Sequence, residues 1–393
     1  MKNKSSIKHI VFTNFDVIGV FSLMLAIFSY IMFGMGLWKS DLPSHGWIAE
    51  QMLEKKQLFM GNFLMYFLVN LFTFFTGKRY KIRAILTLLI AIASVAKYII
   101  ARESFKEFTT SKIARWISLS LMFVYVIPWL YYLQAFGLSY DPGYMFQGRY
   151  FVPNVWHNST IICMMPFAML TYMLSVKQFK EYSNRRNRLI TLYVALGVLI
   201  KPSFFFVYAV AYPLVIFGIY GFKKEFWRSL IPVGIGSLCV LYEYLTIYYN
   251  GGEDGSGVVI DVLQLFTLDF WEKQGPYLIV SLAFPIVFLC LYWHRIVKDK
   301  EFWFVVLMIV CAIGIWWCCK ETGPRCDHAN FYWQVIVVMW FTYYYILKVT
   351  LNDLKSHTFT LERKGKIVLL LYGLHVLSGL VYLSRYLITE NYA

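Results

Sequence analysis

Long apolar runs separated by short polar connectors recur along almost the whole chain. A membrane crossing needs about 20 apolar residues, and the runs 15 to 37, 58 to 76, 84 to 101, 117 to 137, 158 to 176, 189 to 202, 203 to 220, 230 to 249, 277 to 293, 303 to 319, 331 to 348 and 367 to 385 are the candidates. The longest connectors are 38 to 57, 138 to 157, 250 to 276 and 352 to 366, which leaves no room for a soluble domain, and no internal repeat is visible. The first run covers 23 residues, about 35 Å as a helix. That is too long for a signal-peptide core, and no small-residue cleavage site follows, so it is read as a retained span. Residues 46 to 57 mix apolar and polar positions in the manner of an amphipathic surface helix. The pattern predicts an all-α, polytopic transmembrane helical bundle.

Segment 189 to 202 stands apart. Its 14 residues rise only about 21 Å against a hydrocarbon core of about 30 Å, and it ends in Lys201-Pro202-Ser203. A charge beside a broken helix at that depth is tolerated where it lines a cavity or is enclosed by protein. The expectation is a polar cavity opening outward, with Lys201 on its wall.

Composition fits this picture. Of 393 residues, 59% are apolar and only 15% charged, well below the roughly 25% charged of a soluble domain. Soluble enzymes, disulfide scaffolds and disordered chains are excluded. The net charge of +15 belongs to the positive-inside rule before it belongs to nucleic acid, and no nucleic-acid partner is expected. If all twelve runs crossed, loop Lys and Arg would lie mostly outside, which is the wrong way round. Removing either 58 to 76 or 84 to 101 inverts the balance. The first is preferred as the non-crossing segment, re-entrant or juxtamembrane, because Asn62 and Asn70 interrupt it. About eleven crossings follow, with a cytoplasmic N-terminus and an extracytoplasmic C-terminus. The loop 177 to 188 then lies inside and 138 to 157 outside.

The unusual polar residues collect on the outer side. Asp41 and His45 are spaced to share one helix face, as a carboxylate base with an orienting His or as a capped loop with Asp41 as N-cap. Trp156-His157-Asn158-Ser159-Thr160 opens a span, where free N–H groups favour an anion; the plainer reading is an Asn or Ser cap with Trp156 as an interfacial anchor. Arg149 lies on the same side, and Lys201 supplies a cation. In the stretch Glu321 to Asn330, Arg325 suits two-point phosphate binding, while Glu321 with Arg325 could equally pair in a polar Gly-Pro turn. Glu321, His328 and Asn330 complete this second polar site. Asp327 with His328 leaves a divalent cation open, and no cofactor is otherwise called for. His375 is expected to pack inside the last span, and Lys97 to snorkel. The seven cysteines behave as small apolar residues.

This order of features resembles the GT-C superfamily of polytopic glycosyltransferases, over residues 15 to 220 and less fully 303 to 348. The resemblance rests on Asp41 with an amphipathic stretch in the first outer loop, the span opening at Trp156 to Thr160, the basic inner loop, and the break at Lys201-Pro202-Ser203. It implies a GT-C-like module over 1 to 220, with the first outer loop at 38 to 57. Residues 221 to 393 would add C-terminal helices in the same membrane domain. It also implies transfer of a sugar from a polyprenyl-(pyro)phosphate donor to a cell-envelope glycan, lipid or protein, at the outer face of a bacterial cytoplasmic membrane. Asp41 would be the base or acceptor-orienting group, and Lys201 would face the lipid phosphate. The chain departs from the pattern in lacking an Asp-x-Asp or paired acidic dipeptide in the first loop, and a sizeable outer domain.

Inverting transfer needs a base for the acceptor hydroxyl and cations for the departing phosphate, roles that Asp41 and Lys201 with Arg325 or Arg149 could fill. Three other classes are compatible with the chain. A membrane-bound O-acyltransferase would use His157 as base, on the cytoplasmic side where acyl-CoA is found. A polysaccharide polymerase or ligase would share the lipid-linked substrates. A transporter or flippase of lipid-linked glycans would need polar groups at several depths, where only Lys201 and His375 qualify.

Overall fold

The computed structural model describes residues 15–36, 39–128, 150–249, 257–328, 330–356 and 362–390, and of residues 249, 325, 327 and 328 the backbone only. In chain order the helices are α1 (Phe15–Gly34), α2 (Asp41–Glu54), α3 (Phe63–Phe72), α4 (Arg79–Phe105), α5 (Ser111–Ser120), α6 (Ser159–Lys180) and α7 (Asn184–Ile200). They continue as α8 (Ser203–Tyr220), α9 (Lys224–Tyr248), α10 (Leu268–Ile296), α11 (Lys300–Cys318), α12 (Trp333–Ser356) and α13 (Arg363–Thr389). Nine of these, α1, α4, α6 and α8 to α13, are long and apolar enough to cross a membrane. The protein is a multi-pass helical bundle. One departure from all-α is a short antiparallel ribbon of β1 (Gly257–Ile260) and β2 (Cys319–Thr322), in register Gly257 to Thr322 and Ile260 to Cys319.

Helix starts follow capping chemistry. Side chains of Ser40, Thr110, Asn158, Ser183, Thr267 and Asp299 accept backbone N–H groups at the first turns of α2, α5, α6, α7, α10 and α11. The core is aromatic. Helix α12 is the most enclosed candidate span, 89% buried against 17% for α9, and Trp340, Tyr343 and Tyr344 are wholly inside.

Polar contacts sort the helix ends into two groups. At one end Arg102 pairs with Asp16 at 2.7 Å, Lys355 donates to the Glu107 carbonyl at 2.9 Å, and Lys300 donates to the Phe179 carbonyl at 3.2 Å. At the other, Arg79 pairs with Glu50 at 3.0 Å, the Gly36 N–H donates to Glu390 at 3.0 Å, and Tyr248 donates to Glu321 at 2.7 Å. These are the Asp16 end and the Asp41 end. Helices α1 and α4 are therefore antiparallel, and the intervening chain through α2 and α3 starts and finishes at the Asp41 end. Helix α3 has only 10 residues, about 15 Å. That is about half of a hydrocarbon core of about 30 Å.

The run 117 to 137 does not form a continuous helix over its described part. Helix α5 ends at Ser120, and residues 124 to 128 are non-helical. Non-helical backbone inside an apolar bundle needs partners for its N–H and C=O groups, and it has them. Tyr125 N–H donates to the His375 carbonyl at 3.1 Å, Ser378 donates to the Val126 carbonyl at 2.8 Å, and Asn154 donates to the carbonyls of Leu121 and Val124. Gly379 makes the approach feasible, since a Cβ there would overlap the Phe123 carbonyl. Lys97 corrects another expectation. It does not reach out to an interface but donates to Asn154 Oδ1 at 2.7 Å and lies 4.9 Å over the Trp340 ring. His375 packs as expected, its Nδ1 2.9 Å from the Tyr343 hydroxyl and 2.7 Å from the Tyr125 carbonyl.

Candidate functional site

Helix α2 presents the first two residues. Ser40 rather than Asp41 is the N-cap, accepting the Leu42 N–H at 3.2 Å, so the Asp41 carboxylate is spared from capping. It is partly exposed and lies 3.8 Å from Nε2 of His157, which is 2% exposed. That separation exceeds a hydrogen bond but leaves the carboxylate directly beside the imidazole. One turn along α2, His45 Nδ1 is 2.6 Å from the Tyr66 hydroxyl of α3, and the two rings stack with centroids 5.9 Å apart.

Burial holds the His45 imidazole down from 6.5 to about 4, aided by the positive charge of Lys201 and opposed by Asp41. It is neutral over the physiological range. Burial also lowers His157, with Asp41 pulling the other way. Two neutral imidazoles beside one carboxylate can donate or accept hydrogen bonds without adding charge.

Lys201 comes from the break between α7 and α8. Helix α7 ends at Ile200, Lys201 is extended (φ −165°, ψ 125°), and Pro202 precedes the start of α8. Its ammonium lies 5.3 Å over the Trp333 ring at the start of α12, and the same indole is 5.9 Å from the His157 ring. Trp333 therefore links the cation to the Asp41–His157 pair. Among the described residues the surroundings of Lys201 are closely packed. The residue is 7% exposed, and the void beside it, walled by Met164, Gly197, Phe204 and Phe205, is only about 10 Å³.

Glu243 went unnoticed in the sequence. It sits within α9, is 3% exposed, and is close enough to Lys201 to feel the lysine's positive charge. Its Oε1 has no hydrogen-bond partner. A single carboxylate in an apolar run is an intramembrane ionisable group and a functional candidate for that reason alone, which is the signal that could have found it.

Asn158 serves as the cap of α6. Its Oδ1 accepts from Ile161 N–H at 3.1 Å and from Thr160 Oγ1 at 2.8 Å, so only its amide N–H could meet an anion. Glu321 and Asn330 meet each other at 2.6 Å, with the Tyr248 hydroxyl on the other Glu321 oxygen at 2.7 Å. They border a separate cavity of about 550 Å³ at the Asp41 end, lined also by Gln264, Trp316, Trp317 and Lys320. The ring of Phe331 packs at a tilt against Phe206 of α8 with centroids 6.0 Å apart, which keeps this second cluster near the Lys201 break. Arg149 and the side chains of Arg325 and His328 lie outside the described residues. Among the described residues no group of three or more His, Cys, Asp or Glu could hold a metal ion.

No protein-family model matches the chain, and no curated protein matches it.

Proposed function

We propose that the chain is an integral membrane glycosyltransferase of GT-C type, moving a sugar from a polyprenyl-(pyro)phosphate donor to an acceptor hydroxyl on the outer face. The observation that carries the reading is the meeting of a free carboxylate, Asp41, with His157, Trp333 and a buried cation, Lys201, from four separate parts of the chain. Asp41 takes the acceptor proton as the hydroxyl oxygen forms its bond to the sugar C1. The C1–O bond to phosphate breaks, and its electron pair leaves with the phosphate. Lys201, with Arg325 as the second cation, stabilises that charge. The donor phosphate replaces the Trp333 face as partner of the Lys201 ammonium, and the 550 Å³ cavity beside Glu321 receives the acceptor.

Eleven passages with a cytoplasmic N-terminus go with this reading. The basic connectors 177 to 188 and 221 to 230 adjoin the Asp16 end, the side the positive-inside rule makes cytoplasmic. The Asp41–His157 pair also suits an O-acyltransferase base, and sidedness separates the two, because acyl-CoA is cytoplasmic. Asp41→Asn tests the role of the base. In a reconstituted transfer assay it abolishes turnover while donor binding survives, since the amide keeps shape but loses basicity. Wild-type turnover in that variant would remove Asp41 from the chemistry.

A further inference from the structure

The Asp16 end carries a cavity that the transfer reading does not use. It measures about 390 Å³ and opens between the last turn of α6, the α10–α11 turn and α12. Four lysines line it, Lys180, Lys298, Lys300 and Lys348, with the carboxylates of Asp299 and Glu301.

Both carboxylates are already committed. Asp299 accepts the Glu301 N–H at 2.9 Å through one oxygen and the Tyr345 hydroxyl at 2.9 Å through the other. Glu301, 4% exposed, accepts the Tyr172 hydroxyl at 2.9 Å and forms a salt bridge with Lys348. That pair is neutral. Lys300 spends one donor on the Phe179 carbonyl at 3.2 Å and keeps the others. Lys180 and Lys298 have no anionic partner among the described residues. Four lysines against two carboxylates leave the lining of this cavity with a net charge of +2, and the Lys348–Glu301 pair takes no part in that excess. Phe108, Val176, Phe179 and Val349 supply an apolar part of the wall, and Asn352 a further polar side chain.

We propose that this cavity binds a phosphate-bearing anion through Lys180, Lys298 and Lys300. A phosphate oxygen set matches several converging N–H donors, and basic pockets between membrane helices suit lipid headgroups. The shared chemistry is the phosphate group, presented either on an anionic phospholipid, whose glycerol carbons would meet the apolar wall, or as a soluble phosphate. The site is independent of sugar transfer, since none of its residues belongs to the Asp41 end.

The test uses the full chain in phosphatidylcholine nanodiscs. Native mass spectrometry counts retained phosphatidylglycerol, and phosphorus NMR follows added inorganic phosphate. The wild type retains phosphatidylglycerol in preference to phosphatidylcholine. Lys180→Gln with Lys298→Gln lowers that preference about thirtyfold, the effect of two lysines near a membrane surface. Lys180→Arg with Lys298→Arg retains it, which controls for folding. Phosphate binding that needs the two lysines, without a phosphatidylglycerol preference, would assign the site to a soluble phosphate. Binding of neither anion, or binding that the double Gln variant leaves intact, would overturn the proposal.

Discussion

Replacing Asn154 by Leu removes three contacts at once. The side chain accepts from the Lys97 ammonium at 2.7 Å and donates to the carbonyls of Leu121 at 3.1 Å and Val124 at 2.8 Å, all at 4% exposure. Each orphaned carbonyl costs about 1–3 kcal/mol, and a stranded cation costs more. The expected destabilisation is at least roughly 3 kcal/mol, because the non-helical stretch from residue 121 loses its anchor to the segment leading into α6. Lys97→Met alone leaves only Asn154 Oδ1 short of a partner, about 1–3 kcal/mol. In the double variant the stranded cation is gone, so the two losses fall short of their sum by about 1.5–3 kcal/mol, the worth of a charged hydrogen bond. Reversible unfolding of the purified protein in mixed micelles with increasing SDS measures all four corners of the cycle. Losses that add to within about 0.5 kcal/mol, or an Asn154→Leu cost below about 1 kcal/mol, would refute the idea that this contact holds the two non-helical stretches together.

A cysteine introduced at residue 184, in a background without native cysteines, escapes a membrane-impermeant thiol reagent added to intact cells; labelling from outside would reverse the orientation. His45 gives a pH signature: an ordinary imidazole takes up a proton near 6.5 whereas the folded one waits until about 4, so the unfolded state binds more protons between these values. Stability therefore falls as pH drops from about 6.5 to about 4, by at most roughly 3 kcal/mol; thermal melts show that slope reduced in His45→Gln, and an equal slope would contradict it. Gly379→Ala pushes a Cβ against the Phe123 carbonyl and lowers the melting temperature by the equivalent of about 1–3 kcal/mol. Gly373→Ala, with open space around its Cβ, raises it slightly.

The helical architecture was legible because apolar runs of span length leave few alternatives. The preference for 58 to 76 as the segment that turns back drew on Asn62 and Asn70, and Asn70 Nδ2 donates to the Ala49 carbonyl of α2 at 2.9 Å. Other features depend on tertiary contacts that periodicity does not encode. Residues 121 to 128 are apolar enough for a helix, yet His375 and Asn154, distant in sequence, satisfy them in another conformation. Lys97 has the composition of a snorkelling residue, and only the folded chain brings Asn154 to it. At the site, Lys201 was conspicuous beside Pro202, and Asp41 with His45 by spacing. Ser40 took the capping role considered for Asp41, because it stands one residue nearer the non-helical side. Trp333 and Glu243 were hidden, one among many aromatics and one as a single charge within an apolar run.

The proposed function turns on a lipid phosphate reaching Lys201. Polyprenyl monophosphate is shared by donors of this class whatever their sugar, so its binding can be measured first. The assay is a titration of the full chain in nanodiscs, comparing wild type with Lys201→Met and Asp41→Asn. Saturable binding is predicted in the wild type. Lys201→Met should weaken it at least about tenfold, the scale of a lost charged contact, while Asp41→Asn should bind as well as wild type or better. Absence of saturable binding, or equal affinity in Lys201→Met, would contradict the account.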